Sequence, residues 1–213
     1  MNMLFLDYDG VVNTPQWRPH PADPSRMLCT FNFPSNNKVN DFQCVQWISE
    51  FCQKYNYHIV VSSSWRWEDN YKECLINGGL RQGIEILGKT PDYSRYYGAT
   101  RGDEIQAWLD LHHEEEINFL IVDDTCEEDL EVHKWDWKNN KIIGLDKFQT
   151  FKLQDRFIQT NTMIGFREPS FHYAEQLHQA FNNVTALDIE RGEKIVKELQ
   201  NGNKSNSRAK SQD

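Results

Sequence analysis

Apolar residues in this chain gather in short runs that stop at polar clusters. The run at 3–6 ends in Asp7-Tyr8-Asp9-Gly10, the pattern of a buried strand giving way to a turn. The run at 58–61 is rich in β-branched residues and ends in Ser62-Ser63-Ser64-Trp65-Arg66. The run at 119–122 ends in Asp123-Asp124. Gly83 and Gly88 bracket one more short strand, at 84–87. Between these runs the apolar period lengthens. Residues 39–55 carry Phe42, Val45, Ile48 and Cys52 at helical spacing, with Asn40 or Asp41 as the cap. Residues 68–77 read as a helix stopped by Gly78-Gly79, and 103–112 as one with Ile105, Trp108 and Leu109 on a single face. Strands alternating with helices predict an α/β fold: a three-layer Rossmann-like domain with a central parallel sheet.

Two stretches depart from that rhythm. Residues 14–38 hold Pro15, Pro19, Pro21, Pro24 and Pro34 and read as a loop or small lid. Residues 126–155 hold an acidic run, Trp135, Trp137 and a polar turn at Asn139-Asn140. They read as an insertion, with a hairpin around 141–145. Residues 156–160 supply a fifth strand. Residues 169–181 and 187–199 read as helices of a C-terminal extension, and 201–213 as a disordered tail lacking apolar period. No internal repeat is visible, so 1–200 is expected to form one domain with a minimal cap made from the two insertions.

In a parallel sheet the polar clusters that end the strands lie along one edge, where open α/β folds bind ligands. Asp7, Asp9, Asp123 and Asp124 with the hydroxyls of Ser62 and Ser63 make an oxygen-rich crevice suited to Mg²⁺. Asp7 is placed to attack phosphorus and form an acyl phosphate, and Asp9 to protonate the leaving oxygen and then activate water. The plain alternative, that each cluster is a turn or a helix cap, holds for one Asp-x-Asp-Gly but fits three ordered clusters poorly.

The same residues carry a resemblance. The segment 4–13 resembles the first motif of the haloacid-dehalogenase-like (HAD) superfamily of phosphatases. Ser62 resembles its second-motif hydroxyl, and Asp123-Asp124 its acidic fourth motif. Ser62-Ser63-Ser64-Trp65-Arg66, Thr90-Pro91 and the run 101–109 are closer still to the HAD domain of Swiss Army Knife RNA repair proteins. The resemblance implies Asp7 as nucleophile and metal ligand, and Asp9 as acid/base with its backbone carbonyl on the metal. It implies Ser62 on the phosphoryl oxygens with Ser63 as fallback, and Asp123 as a metal ligand supported by Asp124. It also implies hydrolysis rather than dehalogenation, since dehalogenating members lack the second Asp. The superfamily's third motif supplies a Lys where this chain has Arg101. An arginine can clamp phosphate bidentately there, or form a surface ion pair, and Lys89 is a second candidate cation.

Composition narrows the partners. A net charge of -9 and a pI of about 5.3 argue against bulk nucleic-acid binding, which rests on neutralising many phosphates. They leave room for a phosphorylated small molecule or a nucleic-acid end. Trp65, Arg66 and Trp67 follow the phosphate-binding serines. Arg66 is a candidate phosphate contact, and one of the three is a candidate to stack on a base, with core packing as the alternative for Trp65. Trp135 and Trp137 form part of a lid or else anchor their insertion. His112-His113 with the following glutamates reads as a solvated helix end rather than a metal cluster. Five cysteines without a CxxC pair, no leader and no apolar run of membrane length point to reduced thiols, no membrane and the cytoplasm. A small-metabolite phosphatase and a non-catalytic binding protein on the same fold are the competing readings.

Overall fold

The computed structural model describes residues 1–20, 23–30, 41–113, 116–136 and 138–183, with backbone alone at 16–20 and 23–30. The chain divides into two compact units, Met1–Ala174 and Glu175–Asp213. Of the second, 175–183 is described, and it is helical. The expected helix at 187–199 and the expected tail at 201–213 lie outside the described residues.

The first unit is built on a parallel sheet of five strands: β1 (Asn2–Leu6), β4 (Tyr57–Val61), β5 (Ile86–Lys89), β6 (Asn118–Asp123) and β9 (Phe157–Gln159). They lie in the order β5-β4-β1-β6-β9. The chain leaves β1 through helix α1 (Phe42–Tyr55) to β4, and α2 (Tyr71–Asn77) leads to β5. It then crosses through α3 (Arg101–Leu111) to β6 on the other side of β1. The direction of winding therefore reverses around β1, which creates the crevice at its carboxyl end.

Pleating sends alternate residues to opposite faces. Met3 and Phe5 of β1 with Phe119 and Ile121 of β6 pack on Ile105, Trp108 and Leu109 of α3 and on Leu153. The Phe5 ring meets Trp108 edge-on at 5.4 Å. Helix α1 buries Val45, Ile48, Phe51 and Cys52; its Phe51 packs on Tyr57 of β4 and on Phe171, in the helical stretch 168–174. Of the two candidate caps, Asp41 takes the position, accepting from the Gln43 amide at 3.0 Å. The Arg167 guanidinium holds the same carboxylate at 2.6 and 3.1 Å, tying the start of α1 to the end of the unit.

The departures from expectation have local causes. The stretch 16–30, expected as loop, contains an antiparallel pair, β2 (Gln16–His20) and β3 (Asp23–Thr30), whose register shifts at Pro19/His20. Proline is tolerated there because a two-stranded ribbon leaves outward-facing amides unpaired. Strand β5 begins two residues later than expected. Strands β7 (His133–Asp136) and β8 (Lys141–Leu145) pair antiparallel. A helix not evident in the sequence, α4 (Lys147–Gln154), then completes the crossover from β6 to β9. Its apolar spacing misleads: Phe148 and Phe151 are 74% and 68% exposed, while Thr150 and Leu153 face inward.

Helix α3 starts at Arg101, two residues before the expected start. Thr100 and Asp103 close a reciprocal capping box. Asp103 also accepts from the His133 amide and ring, and Thr100 donates to the Glu131 carbonyl. This close seating needs Gly102, where a Cβ would lie 2.4 Å from the carbonyl oxygens of both Leu130 and Glu131. Gly102→Ala should therefore destabilise the fold by about 1–3 kcal/mol, the usual cost of overpacking, read as a lower urea midpoint. An unchanged midpoint would mean that the 130–131 backbone yields freely.

Candidate active site

The register of the sheet sets the site. Leu6 lies opposite Val61 on one side and Val122 on the other, so Asp7, Ser62 and Asp123 emerge at one level from three adjacent strands. The ladder continues one step past β1: Ser62 donates its amide to the Leu6 carbonyl at 2.9 Å, and Asp7 donates to the Val122 carbonyl at 3.0 Å. Carboxylate oxygens of Asp7, Asp123 and Asp124 fall within 4.8 Å of one another.

Arg101, at the first position of α3, reaches into this cluster. Its Nε lies 3.2 Å from Asp123 Oδ2, its Nη2 3.7 Å from Asp7 Oδ1, and its Nη1 donates to the Ser62 carbonyl. Lys89, the other candidate cation, is held elsewhere: its ammonium donates to the Arg66 carbonyl at 2.6 Å. Burial and the neighbouring Asp123 charge push the Asp7 carboxyl well above the ordinary carboxylate range, opposed by Arg101. Burial likewise pushes Asp123 up to about 6, again opposed by Arg101. Carboxylates so placed call for more positive charge.

The two serines separate. The Ser63 hydroxyl caps the 3₁₀ turn Ser64–Trp67, accepting from the amides of Tyr8 and Trp65 at 3.3 Å each. The Ser62 hydroxyl is buried without a hydrogen-bond partner. A buried hydroxyl left unsatisfied is costly unless a ligand completes it.

Asp9 stands in the turn after β1. It accepts from the Asn13 side-chain amide at 2.5 Å and from the Trp65 indole N–H at 3.1 Å. Burial raises its pKa, and those two hydrogen bonds oppose the rise. The turn passes through Gly10 at φ +74°, where a Cβ would lie 2.1 Å from Asp124 Oδ2. Asp124 is further held by the Thr162 hydroxyl at 2.6 Å, and Thr160 donates to the Gly10 carbonyl at 2.9 Å.

Arg66 is buried, with Nη2 at 2.5 Å from Glu104 and 3.4 Å from Asp92, and Nη1 donating to the Ser63 carbonyl. Glu104 also accepts from the Tyr93 amide and lies 3.9 Å from Arg101, so it links both arginines. Beside them is a cavity of about 300 Å³ lined by Ser64, Arg66, Trp67, Thr100, Arg101 and Thr125. Trp67 is 55% exposed there and Trp65 only 5%. Trp135 meets Tyr96 edge-on at 5.9 Å, as an anchor of its hairpin would, and Trp137 lies outside the described residues. Asn13, Glu104, Thr160 and Thr162 went unremarked in the sequence. Asn13 could have been suspected from its place in the 4–13 motif and Glu104 from its place in the 101–109 run, whereas Thr160 and Thr162 carry no motif of their own.

The family model described as the HAD domain in Swiss Army Knife RNA repair proteins matches residues 3–171. The chain belongs to this family. No similar curated protein and no similar solved structure was found. At superfamily level this HAD domain is a hydrolase of phosphatase type, and the match spans every strand of its sheet and all the carboxylates above. Metal ions typify the superfamily, and this HAD domain fits one: its three clustered carboxylates are all oxygen donors, and buried Asp123 Oδ2, ion-paired with the Arg101 Nε at 3.2 Å, makes no hydrogen bond. Among the described residues no helix is long and apolar enough to cross a membrane.

The raised pKa values predict how stability varies with pH. Between the ordinary aspartate value of 3.8 and about 6, folded Asp123 holds a proton that the unfolded chain has lost. Metal-free protein should thus lose stability as pH rises through that window, and the raised Asp7 carboxyl should carry the loss above it. Asp123→Asn should flatten the slope. Added Mg²⁺ should raise the melting temperature more at pH 7.5 than at pH 4.5. Equal Mg²⁺ shifts at both pH values would count against a metal on these carboxylates.

Proposed function

We propose that this HAD domain hydrolyses phosphate monoesters through an aspartyl-phosphate on Asp7, acting on a nucleotide or a nucleic-acid end. The observation that carries the chemistry is the common level of Asp7, Asp123 and the unpartnered Ser62 hydroxyl, with Arg101 across them. An Asp7 oxygen attacks phosphorus as the ester bond breaks, and Asp9 gives its proton to the departing oxygen. Asp9 then takes a proton from water, whose oxygen attacks the acyl phosphate and frees Asp7 and inorganic phosphate. The Ser62 hydroxyl and Arg101 bind the phosphoryl oxygens, at the positive end of α3. Mg²⁺, held by Asp7, Asp123, Asp124 and the Asp9 carbonyl, would supply positive charge to the phosphoryl group and its carboxylate neighbours. Arg66 serves through Glu104 and the Ser63 carbonyl, bracing the cavity rather than reaching the phosphate. A cytoplasmic setting goes with the reduced thiols of Cys44, Cys52, Cys74 and Cys126.

Asp7→Asn, which keeps shape but loses the nucleophile, should reduce phosphate release from an aryl phosphate to background. Asp9→Asn should still become phosphorylated by that activated ester and should accumulate the phospho-enzyme. Turnover retained in Asp7→Asn would overturn the covalent route and leave the non-catalytic and non-covalent alternatives.

The substrate class rests on the family description and on Trp67. That ring lies half-open in the cavity next to Arg101, where the carrier of a bound phosphate would emerge. Base stacking is worth about 1–3 kcal/mol, roughly one to two decades in selectivity. Nucleotides or oligonucleotide ends should therefore exceed sugar phosphates in kcat/KM by about tenfold or more, and Trp67→Ala should erase most of that margin. Sugar phosphates that match nucleotides would replace this reading with a metabolite phosphatase.

A further inference from the structure

We infer that Trp65 is the positioning residue for Asp9, so that the aromatic three residues after Ser62 serves the proton transfer and not the recognition of a base. The inference rests on the phosphatase reading above.

The indole is a donor with no acceptor capacity. Its single N–H is spent on Asp9 Oδ2 at 3.1 Å, while the Asn13 amide takes Oδ1 at 2.5 Å. With both carboxylate oxygens held from fixed directions, the Asp9 side chain is confined to one rotamer. The holders are themselves fixed. Trp65 is 5% exposed, its ring packs on Tyr8 with centroids 5.3 Å apart, and its backbone amide donates to the Ser63 cap. Tyr8 is fully buried and anchored through its hydroxyl to the Tyr71 carbonyl at 2.6 Å. Asn13 is buried in the turn 8–13, whose amides at 11, 12 and 13 all donate to the Tyr8 carbonyl.

The consequence is a physical link between two sequence segments. The turn that offers the Ser62 hydroxyl to phosphate also carries, three residues on, the donor that aims the acid. A shift of that turn moves both together. An acid fixed in this way matters most when the leaving oxygen is a poor one that needs its proton early, as in the alkyl ester of a nucleotide, and least with a nitrophenolate.

The test compares Trp65→Phe, which keeps a ring and removes the N–H, with Tyr8→Phe, which loosens the same packed pair but keeps the indole donor. Single-turnover rates of phosphoryl transfer are measured for esters from 4-nitrophenyl to alkyl phosphates. Trp65→Phe should lose at least about tenfold more rate on the alkyl than on the nitrophenyl ester, giving a steeper dependence on leaving-group pKa. Tyr8→Phe, whose indole donor remains, should change the slope far less than Trp65→Phe does. A second readout is free of turnover: the Trp65 indole proton, followed by NMR in ¹⁵N-labelled protein, should move upfield and exchange faster in Asp9→Ala. An unchanged slope in active Trp65→Phe, or an equal change of slope in Tyr8→Phe, overturns the positioning role. An indole signal indifferent to Asp9→Ala overturns the contact itself. If the unaltered protein turns over no ester, the phosphatase reading falls and takes the proton-transfer role with it, while the NMR result still decides the clamp.

Discussion

Like charges brought together out of water repel, and the site of this HAD domain depends on what offsets that repulsion. Parallel pairing of β1 with β4 and β6 puts Asp7 and Asp123 at one level, and the Gly10 turn leaves room for Asp124 to join them. Burial raises the cost of ionising both Asp7 and Asp123. Arg101 is the part of the chain that answers it, with one guanidinium spread over Asp123, Asp7 and the Ser62 carbonyl. The residues around the start of α3 keep Arg101 in place. Its helix is capped by Thr100 and Asp103, Asp103 is pinned to His133, and Gly102 lets the helix start press against the backbone at 130–131. Glu104 then couples Arg101 to the buried Arg66.

One guanidinium against three carboxylates leaves a negative excess, and this is the physical reason a cation belongs here. An arginine suits the arrangement better than a lysine would, because its planar fork contacts several acceptors at once and stays charged when buried. The same excess would oppose a dianionic phosphate until a cation joined the carboxylates. Cation and substrate are thus expected to bind with mutual reinforcement, since each relieves a repulsion created by the other's absence.

The sequence revealed what depends on neighbours along the chain. Each apolar run that stops at a carboxylate or a serine is a strand, and strand-helix alternation is enough to put those ends on one edge. It concealed what depends on neighbours across space. That Ser62 rather than Ser63 has an idle hydroxyl follows from Ser63 capping the turn beneath Trp65, a choice made by the backbone at 64–67. Helix α4 was hidden because its phenylalanines, Phe148 and Phe151, lie on its exposed side while Thr150 and Leu153 face inward, so no apolar stripe marks the packed face. Proline content masked the β2–β3 pair. Arg66 reads as a phosphate ligand by adjacency to the serines, yet Glu104, 38 residues away, claims its guanidinium.

The tryptophans show the same division most sharply. Trp65 and Trp67 are indistinguishable by composition and lie two residues apart, yet the 3₁₀ turn sends one inward to Asp9 and leaves the other half in solvent. On an extended strand, residues two apart would share a face. In a 3₁₀ turn of three residues per repeat, two positions amount to about 240° of rotation, so the side chains must diverge. The turn type therefore gives one ring to Asp9 and leaves the other open, which on the proposed reading is where the carrier of the phosphate would lie. On that reading, change at position 67 would retune what is bound without disturbing how the ester is broken, whereas change at 65 would alter both.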